Sequence, residues 1–260
     1  HEFMWPLFGQ QLADVIEGLE AAWAFSGGIP RYLVLDNFPA AVVGPDPLNP
    51  RLTRGFLEYA QHRGFIADPA RPGHPKDKPK VERQVPYARE RFFKGGQFHD
   101  LQDLRQQARQ WCLEVAGRRV HGTTRRLPLV VFQEEEKDKL LPYDNEPYDV
   151  PDWHDVIVHQ DHHICYHYAL YSAPYSTCPP GTKLEVRGDS KLVKIYKGGE
   201  LVKVHPRYSR GGRSTDPEDY PKELSAYTLR SPNYLRQQCR KLGESVGDFA
   251  DKLLSGPTPW

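Results

Sequence analysis

The hydrophobic pattern divides the chain into a helical first half and a strand-rich second half. Over residues 7–26, Phe8, Leu12, Val15, Ile16, Leu19, Ala22 and Trp23 recur at three- and four-residue spacing, which predicts an amphipathic helix. Gly27-Gly28 ends it, because glycine accepts the left-handed conformation common at helix ends. Tyr32-Leu33-Val34-Leu35 is a short, unbroken apolar run ending in Asp36, the pattern of a strand covered on both faces. A second helix is expected from about Pro50 to Arg63, and Phe65-Ile66-Ala67 reads as another short buried strand. Helix followed by strand, twice over, points to an α/β layer arrangement.

Residues 68–79 place a proline or glycine at almost every second step, which excludes regular structure there. Helices are then expected from Pro79 or Lys80 towards Gly95-Gly96, and from Leu101 to Ala116 with Asp100 as cap. A shorter one should run roughly from Pro128 to Leu140. Residues 142–153 carry Pro142, Pro147 and Pro151 among several acids and read as a linker. Short alternating segments follow at 156–158, 164–171, 183–187, 192–196 and 201–204, with Gly188-Asp189 and Gly198-Gly199 as turn signals. They predict a small antiparallel β-barrel at 154–208. Residues 209–260 form a C-terminal helical region, with helix expected over Tyr234 to Leu254.

Composition changes this picture little. A hydrophobic fraction of 38% and a charged fraction of 27% suit a soluble globular chain. No apolar run approaches the length of a bilayer span, and no leader pattern opens the chain, so a cytoplasmic protein with no membrane partner is expected. His1-Glu2-Phe3 ahead of Met4 reads as a cloning remnant outside the fold. The four cysteines form no CxxC pair and should be free thiols. Charge is more informative. The net value of +1 hides a basic stretch from Arg71 to Arg126 that includes Lys76, Lys78, Lys80, Arg83, Arg89, Arg91 and Lys94. Such a local excess attracts a polyanion, although a solvated helix face gives the same pattern.

The candidate chemistry lies at the two ends of that arrangement. Asp36 follows a strand in an α/β layer, where such folds place their ligands, and Asn37 beside it could orient it or contact substrate. Asp-Asn also starts ordinary turns. Glu82 sits in the first turn of a helix behind Lys76, Lys78 and Lys80, where a glutamate also suits the helix dipole. Two such carboxylates could grip a magnesium ion while the lysines hold phosphates.

Leu33-Val34-Leu35-Asp36-Asn37 with Ala41-Val42, then Arg71-Pro72 and the run Pro75 to Glu82, resembles the catalytic core of IstA-type insertion-sequence transposases. These are DDE recombinases with an RNase H-like, integrase-type core. His121-Gly122-Thr123-Thr124 with Pro128 and Phe132 resembles the family's segment after the core, and Tyr171 to Pro174, Val186-Arg187, Val193 to Ile195 and Val204-His205 its small β domain.

The resemblance implies an α/β fold with a partial RNase H-like core at 4–98, a helical extension at 99–141, the linker and the barrel. It makes Asp36 and Glu82 the second and third metal-binding carboxylates, with Mg2+ or Mn2+ as cofactor. Lys76, Lys78, Lys80, Arg71, Arg83, Asn37, His121, Thr123 and Arg125 become DNA-contacting candidates. The implied partners are transposon-end and target DNA, further copies of the chain, and an IstB-type ATPase helper. The family's first aspartate belongs to a strand ahead of Asp36, yet only Asp14 precedes it, inside a predicted helix. The chain is therefore expected to lack that aspartate and the opening strands, to be inactive alone, and to self-associate through a bare sheet edge.

Two rival readings stand beside this one. His159, His162, His163, Cys165 and His167 crowd into nine residues, and on one strand His163, Cys165 and His167 would share a face and could bind zinc. Polar strand histidines account for them without a metal. The other rival is a non-catalytic DNA-binding or assembly module built on the basic stretch and barrel. In it, Trp5, Trp153 and the tyrosines of 166–175 would be stacking platforms rather than core.

Overall fold

The computed structural model describes residues 1–43, 51–70, 79–122, 124–221 and 232–255, with the backbone alone at 79–83 and 233. The chain forms two compact units, His1–Val150 and Pro151–Trp260. Among the described residues no helix is long and apolar enough to cross a membrane.

In the first unit, helix α1 (Leu12–Ser26) buries Ile16 and Trp23 and ends at Gly27, whose φ is 70°. It starts later than the periodicity suggests. The Asp14 carboxylate accepts the Gln11 N–H at 2.9 Å and fixes the first turn there, and Phe8 is exposed. Strand β1 (Tyr32–Leu35) is followed by the short pair β2 (Val42–Val43) and β3 (Arg51–Leu52), which are antiparallel. Helix α2 (Arg54–Arg63) follows, capped by Thr53, whose hydroxyl accepts the Phe56 N–H, and stopped by left-handed Gly64. Strand β4 (Ile66–Pro69) then pairs in parallel with β1, Tyr32 opposite Ile66 and Leu35 opposite Pro69.

The expectation of a strand covered on both faces is corrected here. Leu35 is buried against α1 and α2, but Tyr32 is 67% exposed, Val34 47% and Ile66 55%. The two-stranded sheet therefore shows an apolar outer face. Its inner face joins a core of Ile16, Trp23, Ile29, Phe56, Tyr59 and Phe65.

Helix α3 (Pro79–Ala88) carries Pro86 internally and runs on into a π-type turn at Arg89–Phe93. Helix α4 (Leu101–Trp111) begins where expected, with Asp100 Oδ1 accepting the Asp103 N–H at 2.8 Å, and a further turn carries it to Ala116. Helix α5 (Pro128–Val131) is a single turn continued by less regular turns to Lys139. Residues 1–3 are not bystanders. The His1 ring stacks on Phe25 at 5.1 Å and on Phe132 at 5.2 Å, and Phe3 packs on Phe25 and Trp5.

The stretch after α5 returns to the core. Ile29 and Leu141 exchange backbone hydrogen bonds at 2.9 and 2.7 Å, and Tyr143, Tyr148 and Val150 pack against the cluster. Arg63 bridges the pieces: its Nε and Nη2 donate to Glu20 of α1 at 2.9 and 2.7 Å, and Nη1 to Asp144 at 2.8 Å. Tyr59 and Tyr143 add O–H bonds to the same Glu20 carboxylate.

The second unit holds two sheets around one core. Strands β5 (Asp152–Ile157), β6 (His163–Tyr166), β7 (Ala169–Ser172), β8 (Lys183–Gly188), β9 (Leu192–Lys197), β10 (Glu200–Pro206) and β11 (Arg213–Ser214) sort into a β10-β9-β8-β5 sheet and a β11-β7-β6 sheet. Ile164, Tyr166, Tyr171, Leu184, Val186 and Ile195 fill the space between them. The sheets do not close, so the expected barrel is an open two-sheet arrangement. The single strand expected at 164–171 is a hairpin: His167 (φ 47°) and Tyr168 (φ 62°) turn the chain between β6 and β7. Both turn residues have positive φ, as a type I′ turn requires. The C-terminal helix also divides, into α6 (Pro232–Leu242) and α7 (Glu244–Leu254), broken at Gly243 with φ 153°. They pack closely because Gly247 lies against Arg240, where a Cβ would stand 2.3 Å from Cγ.

Candidate functional site

Asp36 occupies the carboxyl end of β1 with an exposed side chain. The chain turns at once, the Phe38 N–H reaching the Asp36 carbonyl at 2.9 Å. Two bonds zip this strand end to the end of β4. The Ala70 N–H donates to the Leu35 carbonyl at 2.9 Å, and Asn37 Nδ2 donates to the Ala70 carbonyl at 2.8 Å. Asn37 Oδ1 is buried and accepts no hydrogen bond among the described residues. Asp36 offers an exposed carboxylate and Asn37 a buried amide oxygen, both of the donor class that hard cations take.

The chain passes directly from Ala70 into the basic segment. Arg71, Lys76 and Lys78 lie outside the described residues, as does Thr123. Lys80, Glu82 and Arg83 lie in the first half of α3, their side chains outside the described residues. Helix α3 is held by Arg119, whose Nη2 donates to Gln84 Oε1 at 2.9 Å and whose guanidinium sits 4.0 Å over the Tyr87 ring. His121 and Arg125 share a separate tight loop. The Arg125 N–H bonds the His121 carbonyl at 2.8 Å, the His121 N–H bonds the Arg126 carbonyl at 3.0 Å, and Arg125 has φ 54°. Part of the basic stretch is spent internally. Arg105 pairs with Glu17 at 2.7 Å, and Arg126 pairs with Glu134 and Glu135. Arg89 and Lys94 stay largely exposed.

His163, Cys165 and His167 do not share a strand face, which removes the rival zinc reading there. His163 is fully buried, its ring bonded to the Asp161 carbonyl at 2.7 Å and to Thr215 Oγ1 at 2.8 Å, and burial pushes its imidazole below the ordinary histidine range. Cys165 is exposed and His167 belongs to the turn. Tyr166 and Tyr171 are core residues rather than stacking platforms. Asp152 and His154, which no sequence pattern singles out, instead meet His167 across the two sheets, and only the hairpin turn brings them together.

A family model for the Mu transposase C-terminal domain matches residues 141–216, which includes both sheets of the second unit. Relatives align over most of the chain. A Mycobacterium tuberculosis protein provisionally named a transposase is 35% identical over 90% of this chain and 56% of its own length. A Sinorhizobium fredii protein with a similar provisional name is 30% identical over 97% and 49%. The transposase for insertion sequence element IS21 of Pseudomonas aeruginosa is 29% identical over 81% and 54%. The chain's homologues are insertion-sequence transposases. The chain spans about half the length of the curated transposase relatives it matches.

Proposed function

We propose that this chain carries part of the catalytic core and the C-terminal β module of a DDE transposase of the IstA kind, acting on DNA by phosphoryl transfer. The observation that carries the reading is the alignment with proteins named as transposases across 81–97% of the chain, on both units. The exposed position of Asp36 at the carboxyl end of a parallel strand supports the carboxylate role.

Asp36 and Glu82 would hold Mg2+ or Mn2+. Bound ions of this kind supply Lewis-acid activation of the attacking hydroxyl and stabilise the leaving oxygen. The chain's own contribution is placement. The Asn37–Ala70 bond fixes the strand end that carries Asp36. Lys76, Lys78 and Lys80, with Arg71 and Arg83, would neutralise phosphates and set the DNA register. His121, Thr123 and Arg125 would extend that contact. Transposon ends, target DNA, further copies of the chain and an IstB-type ATPase are the proposed partners.

Asp14 lies ahead of Asp36, but its side chain caps α1, so no third carboxylate is assigned among the described residues. The test is magnesium- or manganese-dependent strand transfer on pre-cleaved transposon-end DNA, comparing this chain with an upstream-extended version. Activity only in the extended protein, abolished by Asp36→Asn and by Glu82→Gln with DNA binding retained, is expected. Near-normal strand transfer by Glu82→Gln would remove the carboxylate assignment. Inactivity of both proteins with salt-sensitive DNA binding would favour a non-catalytic binding and assembly module, which the Mu transposase C-terminal match also accommodates.

A further inference from the structure

We propose that Asp152, His154 and His167 form a zinc-class metal site that ties the two sheets of the second unit together. Asp152 and His154 stand two residues apart on β5, so their side chains leave the same face of the strand. His167 arrives from the other sheet, on the turn between β6 and β7. Both imidazoles aim Nε2 at a single oxygen: Asp152 Oδ2 lies 2.9 Å from His154 Nε2 and 2.6 Å from His167 Nε2. The three ligand atoms all lie within 4.8 Å of one another.

Tetrahedral zinc with bonds of about 2.0–2.2 Å sets its ligand atoms roughly 3.3–3.5 Å apart. The three side chains are each about half exposed, so small rotations open the cluster to that spacing. Each neutral imidazole would then carry its proton on Nδ1 and offer the Nε2 lone pair to the metal, and water would take the fourth position. Two imidazoles and one carboxylate suit zinc and its neighbours rather than magnesium or calcium, which take oxygen donors.

The surroundings are built for this convergence. The turn holds His167 at positive φ, a conformation that side-chain-bearing residues other than Asn, Asp and His seldom adopt, and strain of this kind collects at functional positions. Tyr166 packs against the His167 ring at 4.4 Å and extends its hydroxyl to 3.4 Å from Asp152 Oδ2. That hydroxyl fits only because position 188, the cross-strand neighbour of Asp152, is glycine. A Cβ there would stand 2.2 Å from it. Asp152 is thus supported from behind, as ligating carboxylates usually are.

The site is distinct from Asp36 and Glu82 in chain position and in ligand chemistry, so its test does not depend on transposition. Chelator-treated full chain would be titrated with zinc chloride by calorimetry, with thermal melts recorded with and without the metal. One zinc per chain is expected, with a rise of several degrees in the melting temperature of the second unit, reversed by chelator and not produced by magnesium. His154→Asn and His167→Asn should each weaken zinc at least tenfold. Asn suits the positive φ of the turn, so His167→Asn should melt no lower than the parent without metal while losing the zinc-dependent rise. Absence of saturable binding near one equivalent, or zinc binding unchanged in both variants, would overturn the proposal.

Discussion

Arg63 is the residue whose removal should cost the first unit most. Its side chain is 3% exposed and meets Glu20, itself 19% exposed, in a two-pronged pair that links α2 to α1. The same guanidinium reaches Asp144 and the Glu146 carbonyl, so it also pins the 141–150 segment. Burial works against the Arg63 charge, but the Glu20 and Asp144 carboxylates outweigh it and the guanidinium is held charged more firmly than usual. Burial and the Glu20 charge together push the Tyr143 phenol up to about 12 and the Tyr59 phenol higher, so both remain donors.

Arg63→Met would leave the Glu20 carboxylate, 19% exposed, with the Tyr59 and Tyr143 hydroxyls as its side-chain partners among the described residues. Removing one partner of a buried pair typically costs about 3–5 kcal/mol. The two remaining donors place the expected loss near the lower end, about 3 kcal/mol. For a unit of this size that corresponds to roughly 6–12 °C in melting temperature. Differential scanning calorimetry would read it on the first unit's transition. Replacing both partners, Glu20→Met with Arg63→Met, should recover part of the loss, because no uncompensated charge is left inside. A single variant that melts within about 2 °C of the parent, or a double variant as unstable as the sum of the singles, would refute the reasoning.

Four further outcomes follow from the same structure. Burial lowers the pKa of His163 and His205 below the ordinary 6.5, so the unfolded chain takes up protons first as pH falls. The second unit should lose stability from about pH 6.5 downward, and His205→Asn should flatten that slope in melts taken between pH 7 and 5. Asp216 resists the upward push of burial because Lys203 holds it ionised at 2.6 Å, and its folded pKa lies below its ordinary value. Its contribution is complete above the unfolded value and disappears in acid, below about pH 4, so Asp216→Asn should lower the melting temperature at pH 7 and narrow the gap at pH 3. Val34→Lys, placed on the exposed sheet face with Tyr32 and Ile66, should abolish any concentration-dependent association seen by light scattering; persistence would locate the contact elsewhere. Replacing Lys76, Lys78 and Lys80 by Ala should weaken DNA binding and flatten its dependence on log salt by about 0.9 for each phosphate left unneutralised; an unchanged slope would remove them from the interface.

What the sequence revealed and what it hid divide along the range of the interactions involved. Local signals were legible: Asp100 caps a helix, Gly27 ends one in the left-handed conformation, and the run from Tyr32 to Leu35 is a strand leading to Asp36. The outer face of β1 was hidden because an unbroken apolar run cannot say whether a second layer covers it, and among the described residues Tyr32 and Val34 have none. The hairpin at His167-Tyr168 was invisible for the opposite reason. Turns of that type are recognised by Gly or Asn, and this one uses two bulky residues at positive φ. Missing that turn has a chemical consequence. With 164–171 read as one strand, His163, Cys165 and His167 would share a face; with the turn in place, His163 enters the core and His167 swings to the carboxylate of Asp152. The backbone geometry at two residues therefore decides which histidines can act together, and spacing along the chain carries no trace of that choice. Arg63 shows the same limit at longer range. Its partners Glu20 and Asp144 lie 43 and 81 residues away, and no periodicity connects them, yet they fasten both helices and the returning 141–150 segment.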